Sequence, residues 1–204
     1  MKTQLTMALL LVSTTALADS HSEKKDAMKK DVAKPADKAP VPAAITAPAP
    51  PAELATMMKM TTGNWKCAGK GAMDPANPAA MTEFKGTYKA ALDLDKFWIK
   101  GEWTSTAGKL KMRGLMYTTF DAASKKWHRM MLDNWGMSGS ESSAGLPAGT
   151  TEGKLVWEGE SRMMGAMIKT RTTEEATAKS MKMTSEMSPD GKKWVTGMEM
   201  TCTK

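Results

Sequence analysis

Cysteine and histidine are scarce in this chain. Its 204 residues include 2 cysteines and 2 histidines, and only His128 lies outside the first 21 residues. So small a set contains no cluster with the spacing of metal ligands. Neither G-x-S-x-G nor H-E-x-x-H occurs, so the common motifs of serine and zinc hydrolases are absent too. We predict no enzyme, no catalytic residue, no metal site and no cofactor.

Long hydrophobic runs are also missing. The longest, at 7–12, is far below the roughly 20 residues that span a bilayer. It follows Lys2 and precedes the small residues at 16–18, which is the pattern of a secretory signal peptide. We predict a signal peptide at 1–18, cleavage before Asp19, no membrane span and a periplasmic or secreted protein. No lipid-attachment cysteine follows the predicted cleavage site.

Residues 19–53 contain no aromatic residue. Lysine, aspartate, alanine and proline dominate this segment, and six lysines offset six acidic residues. A segment of this composition cannot bury enough apolar surface to offset its ordering entropy, and its proline-rich end favours an extended chain. We predict a disordered spacer that either only separates the domain from the leader or contacts the cell envelope.

The domain proper covers 54–204 and carries about +6 of the formal charge of +7. Its lysines are scattered along alternating positions rather than gathered into one basic patch, as nucleic-acid binding would favour. We predict no nucleic-acid partner. The scattered residues are Lys66, Lys85, Lys89, Lys109 and Lys111.

The two cysteines, Cys67 and Cys202, lie near the ends of this domain. After export, an oxidising compartment favours their pairing as a disulfide, which would close a loop of 136 residues. In the chain-entropy model such a loop stabilises the fold by about 5 kcal/mol. The alternative is two unpaired buried thiols.

Apolar residues in 54–204 recur at every second position, which predicts β-strands. Short turn sequences, the clearest being Ser-Pro-Asp-Gly at 188–191, leave no room for crossover helices, so neighbouring strands pair antiparallel. Ten strands are predicted near 64–70, 82–92, 96–105, 109–120, 125–133, 136–144, 151–159, 162–173, 178–187 and 192–203.

A meander of ten strands removes its exposed edges by closing into a barrel. Closure would pair the first strand with the last and bring the two cysteines together, whereas a two-sheet sandwich need not do so. The inward sets predicted from alternation are Phe84, Tyr88, Leu92; Phe97, Ile99, Trp103; Leu110, Met112, Met116, Phe120; Leu155, Trp157; Met181, Met183, Met187; and Trp194, Thr196, Met198, Met200, Cys202.

Several short motifs resemble a known family. They are Gly63-Asn64-Trp65, Phe-Trp-Ile-Lys-Gly at 97–101, Phe120-Asp121 with Lys-Lys-Trp at 125–127, Leu132-Asp133, and the turn at 188–191. Together they resemble a family of secreted bacterial proteins of unknown function with a lipocalin-like barrel. The resemblance implies an all-β, antiparallel barrel preceded by a short helix near 53–60. It also implies an arginine over the G-x-W tryptophan, where this chain offers only Lys192, Lys193 and Lys204.

A barrel of this size holds either packed side chains or one small ligand, and aromatic and methionine side chains suit apolar guests. We therefore predict an exported, non-enzymatic barrel that binds a small, mostly apolar molecule, with a plain packed core as the alternative. The predicted pocket residues are Tyr88, Trp103, Met116, Trp127, Arg129, Met131, Asp133, Trp157, Met183 and Met198.

The fifth strand places charge among these residues. Trp127, Arg129, Met131, Asp133 and Trp135 alternate on one face, and the other face, with His128, Met130 and Leu132, also carries apolar groups. If the tryptophan face points inward, Arg129 and Asp133 are buried, and a buried charge needs a partner. Arg129 and Asp133 would lie about 13 Å apart along the strand, too far for direct contact. Their expected partners are Lys100, Glu102 or a ligand carboxylate.

Methionine is unusually frequent, with 21 residues. Thioether sulfur prefers soft cations such as Cu(I) and Ag(I), so a metal-handling exported protein is the main alternative function. Adaptable core filling and sacrificial oxidation would also use methionines. The candidate soft-metal ligands are Met57, Met58, Met60, Met181, Met183, Met198 and Met200.

Overall fold

The alternation in the sequence becomes a nearly all-β structure. The computed structural model describes residues 47–73, 77, 80–147, 150 and 152–204. Helix α1 spans Glu53–Thr61. The strands are β1 (Gly63–Ala72), β2 (Met81–Asp93), β3 (Trp98–Ala107), β4 (Leu110–Asp121), β5 (Lys126–Asp133), β6 (Ser138–Ser143), β7 (Gly153–Met163), β8 (Ala166–Ala176), β9 (Ser180–Ser188) and β10 (Val195–Thr203).

Each strand pairs antiparallel with its sequence neighbours, and β1 pairs with β10, which closes the barrel. The predicted closed meander is confirmed, and a sandwich is excluded. Cys67 lies directly opposite Cys202, and their sulfur atoms are 2.03 Å apart, a geometry compatible with a disulfide.

Helix α1 covers one end of the barrel. Its buried residues Leu54, Met57 and Met60 fall on one face at helical spacing and join the core. The helix ends beside β1, where the indole N–H of Trp65 donates to the carbonyl of Thr61 at 2.9 Å. No helix in the described part of the chain is both long enough and apolar enough to cross a bilayer.

The β7–β8 turn lies further along the chain than predicted. The sequence prediction ended one strand at 159 and began the next at 162, whereas the turn is centred on Met164 and Gly165, with φ of 48° and 88°. Two successive positive φ angles fit the short hairpin turn that matches strand twist. Glycine adopts a positive φ with less strain than other residues, so the turn forms more readily at Met164 and Gly165 than at 160–161, where there is no glycine.

Four residues predicted to face inward are exposed to solvent. Leu92 and Leu110 lie near strand ends and are exposed, and Trp194 precedes β10 and is exposed. Thr196 is also exposed, because the β9–β10 register shifts between Thr196 and Met198. The extra residue of such a bulge reverses the alternation, so only the later part of β10 follows the predicted phase.

Candidate functional site

The barrel interior is packed at the helix end and hollow beyond it. Two adjoining spaces of about 270 Å³ and 230 Å³ lie between the core and the end formed by the β5–β6 and β9–β10 turns. They share seven lining residues, which places them next to each other. The shared residues are Met73, Trp103, Met112, Met116, Met131, Met183 and Met198.

Methionines dominate the walls of these spaces. Inward positions on five strands supply most of them, because successive residues on a strand face opposite sides of the sheet. Flexible, unbranched thioether side chains can adapt to guests of different shape. The eleven methionines that line one or both spaces are Met73, Met112, Met116, Met131, Met137, Met163, Met181, Met183, Met187, Met198 and Met200.

A buried ionic cluster forms the polar part of the wall. Arg129 on β5 lies directly opposite Glu141 on β6, and its Nε donates to Glu141 Oε2 at 2.6 Å. Its Nη1 donates to Glu174 Oε1 on β8. Arg129 and Glu141 are each 2% exposed and Glu174 is 7% exposed. One guanidinium therefore serves two carboxylates away from water.

One further hydrogen bond fixes this cluster. The hydroxyl of Thr170 donates to Glu141 Oε1 at 2.8 Å, across the intervening Gly159, which pairs with both residues. A Cβ at Gly159 would lie 1.9 Å from the carbonyl oxygen of Ser140, so the sheet there accommodates glycine only. The strands can thus come close enough for Glu141 to be held on both oxygens.

Trp157 on β7 completes the support. The guanidinium carbon of Arg129 lies 4.3 Å from the centre of its ring, a cation–π geometry. Trp157 is buried, and among the described residues its Nε1 is the one side-chain polar atom that is fully sealed from solvent and has no hydrogen-bond partner. A planar cation that stacks on one face and binds carboxylates at its edge is held rigidly.

The two neighbouring glutamates keep Arg129 positively charged. Burial alone lowers the pKa of Arg129, but the fields of Glu174 and Glu141 and the hydrogen bonds to them outweigh it, so the pKa is raised above its ordinary value. Tyr88 on β2 lines the space of about 230 Å³, which we call the inner space. Burial, aided by the charge of Glu174, raises the pKa of its hydroxyl well above the ordinary value.

The predicted pocket residues fall into two groups. Eight line one or both spaces: Tyr88, Trp103, Met116, Arg129, Met131, Asp133, Met183 and Met198. Trp127 and Trp157 line neither space. Trp127 packs against Phe120 at a ring-centre distance of 5.2 Å, within the core near the helix end, and Trp157 lies against Arg129. As a ligand pocket the set stays a prediction.

Two of the expected partners of the fifth-strand charges, Lys100 and Glu102, were wrong. Lys100 and Glu102 pair with each other at 2.6 Å, and neither lines the two spaces. Asp133 is only half-buried, and its Oδ1 accepts the backbone N–H groups of Trp135 and Met137, so it holds the β5–β6 turn. Trp135 lies in that turn and is exposed.

Glu141 and Glu174 were missed by sequence reasoning. Both lie on the inward phase of strands that read as polar, Ser-Gly-Ser-Glu-Ser-Ser for β6 and Thr-Arg-Thr-Thr-Glu-Glu-Ala within β8. Extending the alternation through these strands would have placed each glutamate inside. That was the available signal, since an inward arginine requires inward acids.

The candidate soft-metal residues are divided as well. Met57 and Met60 are buried in the packed core, with Met58 packed against it, whereas Met181, Met183, Met198 and Met200 line the spaces. Within the described ranges no group of three or more His, Cys, Asp and Glu side chains could hold a metal ion. His128 lies on the outward phase of β5.

A larger hollow of about 890 Å³ runs along the outside of the barrel. Exposed charged residues such as Lys70, Lys182 and Glu199 line it, and Lys70 pairs with Glu199 at 3.0 Å. It is open, solvent-exposed surface, so we place the candidate site inside the barrel instead.

Comparisons with known proteins agree with this fold. The crystal structure of Rv2717c from M. tuberculosis superposes with a TM-score of 0.59 at 10% sequence identity, covering 76% of this chain and 99% of that one. At this identity the likeness concerns the fold alone. No curated protein matches the sequence. Residues 50–204 match the family described as "Protein of unknown function (DUF1579)". Because this match covers most of the chain, the protein belongs to the DUF1579 family.

Proposed function

We propose that this protein is exported and that its barrel binds a small, mostly apolar molecule. The observation that carries the proposal is the pair of adjoining, methionine-lined spaces inside a closed barrel. Small-molecule sites typically occupy about 300–1,000 Å³ and combine apolar walls with a few placed polar groups. A guest that extends through both spaces fits the lower part of that range.

The distribution of rigidity supports the same proposal. At the helix end, aromatic rings, the facing cysteines and α1 form a continuous core. The ionic cluster borders the hollow part, where its charges are held by one another. A ligand would thus meet an adaptable apolar wall beside a fixed polar one, which is the usual arrangement for orienting a bound molecule.

Displacement of a neutral fluorescent probe, N-phenylnaphthylamine, tests this proposal. The purified chain should bind the probe with one-to-one stoichiometry and increase its emission. Met131→Trp should weaken binding by about tenfold or more, because an added ring fills the space that both cavities share. Met130→Trp is the matched control, since Met130 is the adjacent residue, faces outward and is 47% exposed.

Met183→Trp repeats the test from the opposite side of the cavity in case Met131→Trp unfolds the barrel. Equal probe binding by the interior variants and by Met130→Trp, or no binding by the native chain, would overturn the proposal. As an independent test, native mass spectrometry of protein from its own host should reveal a retained organic mass if the barrel binds a ligand.

Export is tested by cell fractionation. Residues 1–18 lie outside the described part of the chain, so the signal peptide and the spacer at 19–53 stay predictions from the sequence. We expect the mature protein in the periplasm or medium, with a mass that begins at Asp19. A cytoplasmic protein that retains residues 1–18 would contradict this.

A soft metal ion is the second candidate, favoured by the eleven methionines around the spaces. Thioethers bind Cu(I) and Ag(I) in preference to harder cations. Titration with Ag(I), followed by native mass spectrometry, should then give a stoichiometric adduct that Met183→Leu and Met198→Leu remove. An adduct insensitive to both changes would exclude this candidate. The third, a cell-envelope contact through the spacer at 19–53, concerns a segment of which the structure describes only residues 47–53.

A further inference from the structure

The charges that border the two spaces are unbalanced. Among the described residues that line them, Arg129 is the one cation, against the three carboxylates of Asp133, Glu141 and Glu174. Asp133 is committed to backbone N–H groups in its turn. The other two share Arg129, so the ionic cluster holds one formal negative charge more than it neutralises.

The surplus is located on Glu174. Glu141 accepts hydrogen bonds on both of its oxygens, from Arg129 and from Thr170. Glu174 accepts one, from Arg129, on Oε1. Its Oε2 has no hydrogen-bond partner among the described residues, although the side chain is more than nine-tenths buried and lines the inner space.

Tyr88 adds a second free polar atom to the same wall. It is 8% exposed, and no described residue hydrogen-bonds its hydroxyl. In the described structure, Trp157 Nε1 is the one partnerless polar atom that is fully sealed. The Tyr88 hydroxyl and Glu174 Oε2 therefore reach space that a ligand or water can occupy.

We propose, building on the proposed ligand-binding function, that the guest is a cationic amphiphile whose ammonium group binds Glu174 Oε2 and the Tyr88 hydroxyl. Its apolar chain or ring extends among the methionines. A buried carboxylate with an unfilled oxygen is stabilised by a hydrogen-bonding cation. An ammonium group supplies up to three donors, enough for both oxygens.

The same geometry argues against a fatty-acid guest. Arg129 is the cation that would receive a ligand carboxylate, and its donors already face Glu141 and Glu174. An incoming anion would meet three carboxylates and no free cation among the described lining residues. Like charges at short range in a buried site disfavour one another.

Octylamine, octanol and octanoate test the proposal, because they share one apolar chain and differ in the charge of the head group. Each is titrated against the native chain loaded with N-phenylnaphthylamine. Octylamine should displace the probe at a concentration about tenfold or more below that of octanol, as a charge-assisted hydrogen bond requires. Octanoate should be the weakest of the three.

Glu174→Gln should abolish the preference for the amine, because glutamine keeps an acceptor for Arg129 and removes the charge. Binding of octanol should change less than about twofold. Glu175→Gln is the matched control, since Glu175 is the next residue and is exposed. Tyr88→Phe should reduce the preference for the amine only in part, and it provides a second test if Glu174→Gln fails to fold.

The outcomes separate this inference from the proposed function. Equal displacement by octylamine and octanol, or an amine preference that survives in Glu174→Gln, overturns the inference and leaves apolar binding in place. Strongest displacement by octanoate also overturns it, and points to Arg129 instead. If neither the probe nor any octyl compound binds, the proposed function fails and the inference fails with it.

Discussion

The ammonium group of Lys204 lies 4.6 Å from the centre of the Trp65 ring. This is the contact that the lipocalin-like resemblance implied for an arginine, made here by the C-terminal lysine. The stem of Lys204 also lies 3.2 Å from the position of a Cβ at Gly63, where φ is +129°. The G-x-W segment thus receives the C-terminal end of the chain on one side and helix α1 on the other.

Removing this cation should loosen the junction of the two terminal strands. Lys204→Met keeps the apolar stem and loses the cation–π contact, so the free energy of unfolding should fall by about 0.5–1 kcal/mol. Lys204→Arg should retain it. Denaturant unfolding followed by tryptophan fluorescence measures the effect. A loss of the same size in Lys193→Met, an exposed lysine, would assign it to general surface charge instead.

The facing cysteines make a second prediction. If Cys67 and Cys202 are oxidised in the exported protein, reductant should lower the free energy of unfolding of the native chain by about 3–5 kcal/mol, because it frees a loop spanning nearly the whole domain. The Cys67→Ser/Cys202→Ser double variant should be insensitive to reductant. Identical unfolding with and without reductant, together with two alkylatable thiols, would show the pairing to be wrong.

The ionic cluster should depend on its cation. Arg129→Met should lower the free energy of unfolding by about 3–5 kcal/mol, because it leaves two buried carboxylates without their partner. Arg171→Met is a matched control: Arg171 also bonds a glutamate, Glu186 at 2.9 Å, and lies 4.7 Å from the ring centre of Trp194, but it is partly exposed.

The exposed pair should contribute no more than about 1 kcal/mol. If Arg129→Met and Arg171→Met lower the free energy of unfolding by similar amounts, the contribution of Arg129 to stability does not depend on the burial of its ionic cluster. Differential scanning calorimetry of both variants provides the comparison.

The buried hydroxyl of Tyr88 should make the barrel less stable at alkaline pH. The pKa of this hydroxyl is raised in the folded state by burial and by Glu174, whereas in the unfolded chain that pKa is about 10. Above about pH 10 the unfolded state loses a proton that the folded state keeps. The free energy of unfolding should therefore be constant with respect to this group below that pH and fall above it, by up to about 1.4 kcal/mol per pH unit.

Tyr88→Phe should remove this decline, which denaturant unfolding measures across the alkaline range. In Tyr117→Phe, where Tyr88 is the one remaining tyrosine, tyrosinate absorbance should appear together with unfolding. Ionisation at the ordinary pKa in the folded chain would contradict the burial of the hydroxyl.

Local patterns were enough to predict the architecture. Alternation and turn residues are properties of a few consecutive residues, and they located the ten strands, whereas the short helix was implied by the family resemblance. Short connections then required antiparallel neighbours and closure, which placed Cys67 opposite Cys202. The error at Met164 and Gly165 arose because a two-residue turn leaves only a weak local signal.

The faces of residues were predictable only where the alternation was unbroken. The bulge near Gly197 moved Trp194 and Thr196 outward, because one inserted residue reverses every position beyond it. The local sign of that insertion is Gly197 itself, at the register shift, since a glycine inside a strand often marks a bulge, but the alternation pattern alone did not reveal it.

The sequence by itself determined that Arg129 shares one face of its strand with Trp127 and Met131, because the face of a residue follows from the period of its strand. Only the tertiary structure decided that its partners are Glu141 and Glu174, which lie 12 and 45 residues away. The closeness of side chains on different strands depends on register, bulges and glycines such as Gly159. The hollow beside them is likewise a product of how ten strands close, which no single strand encodes.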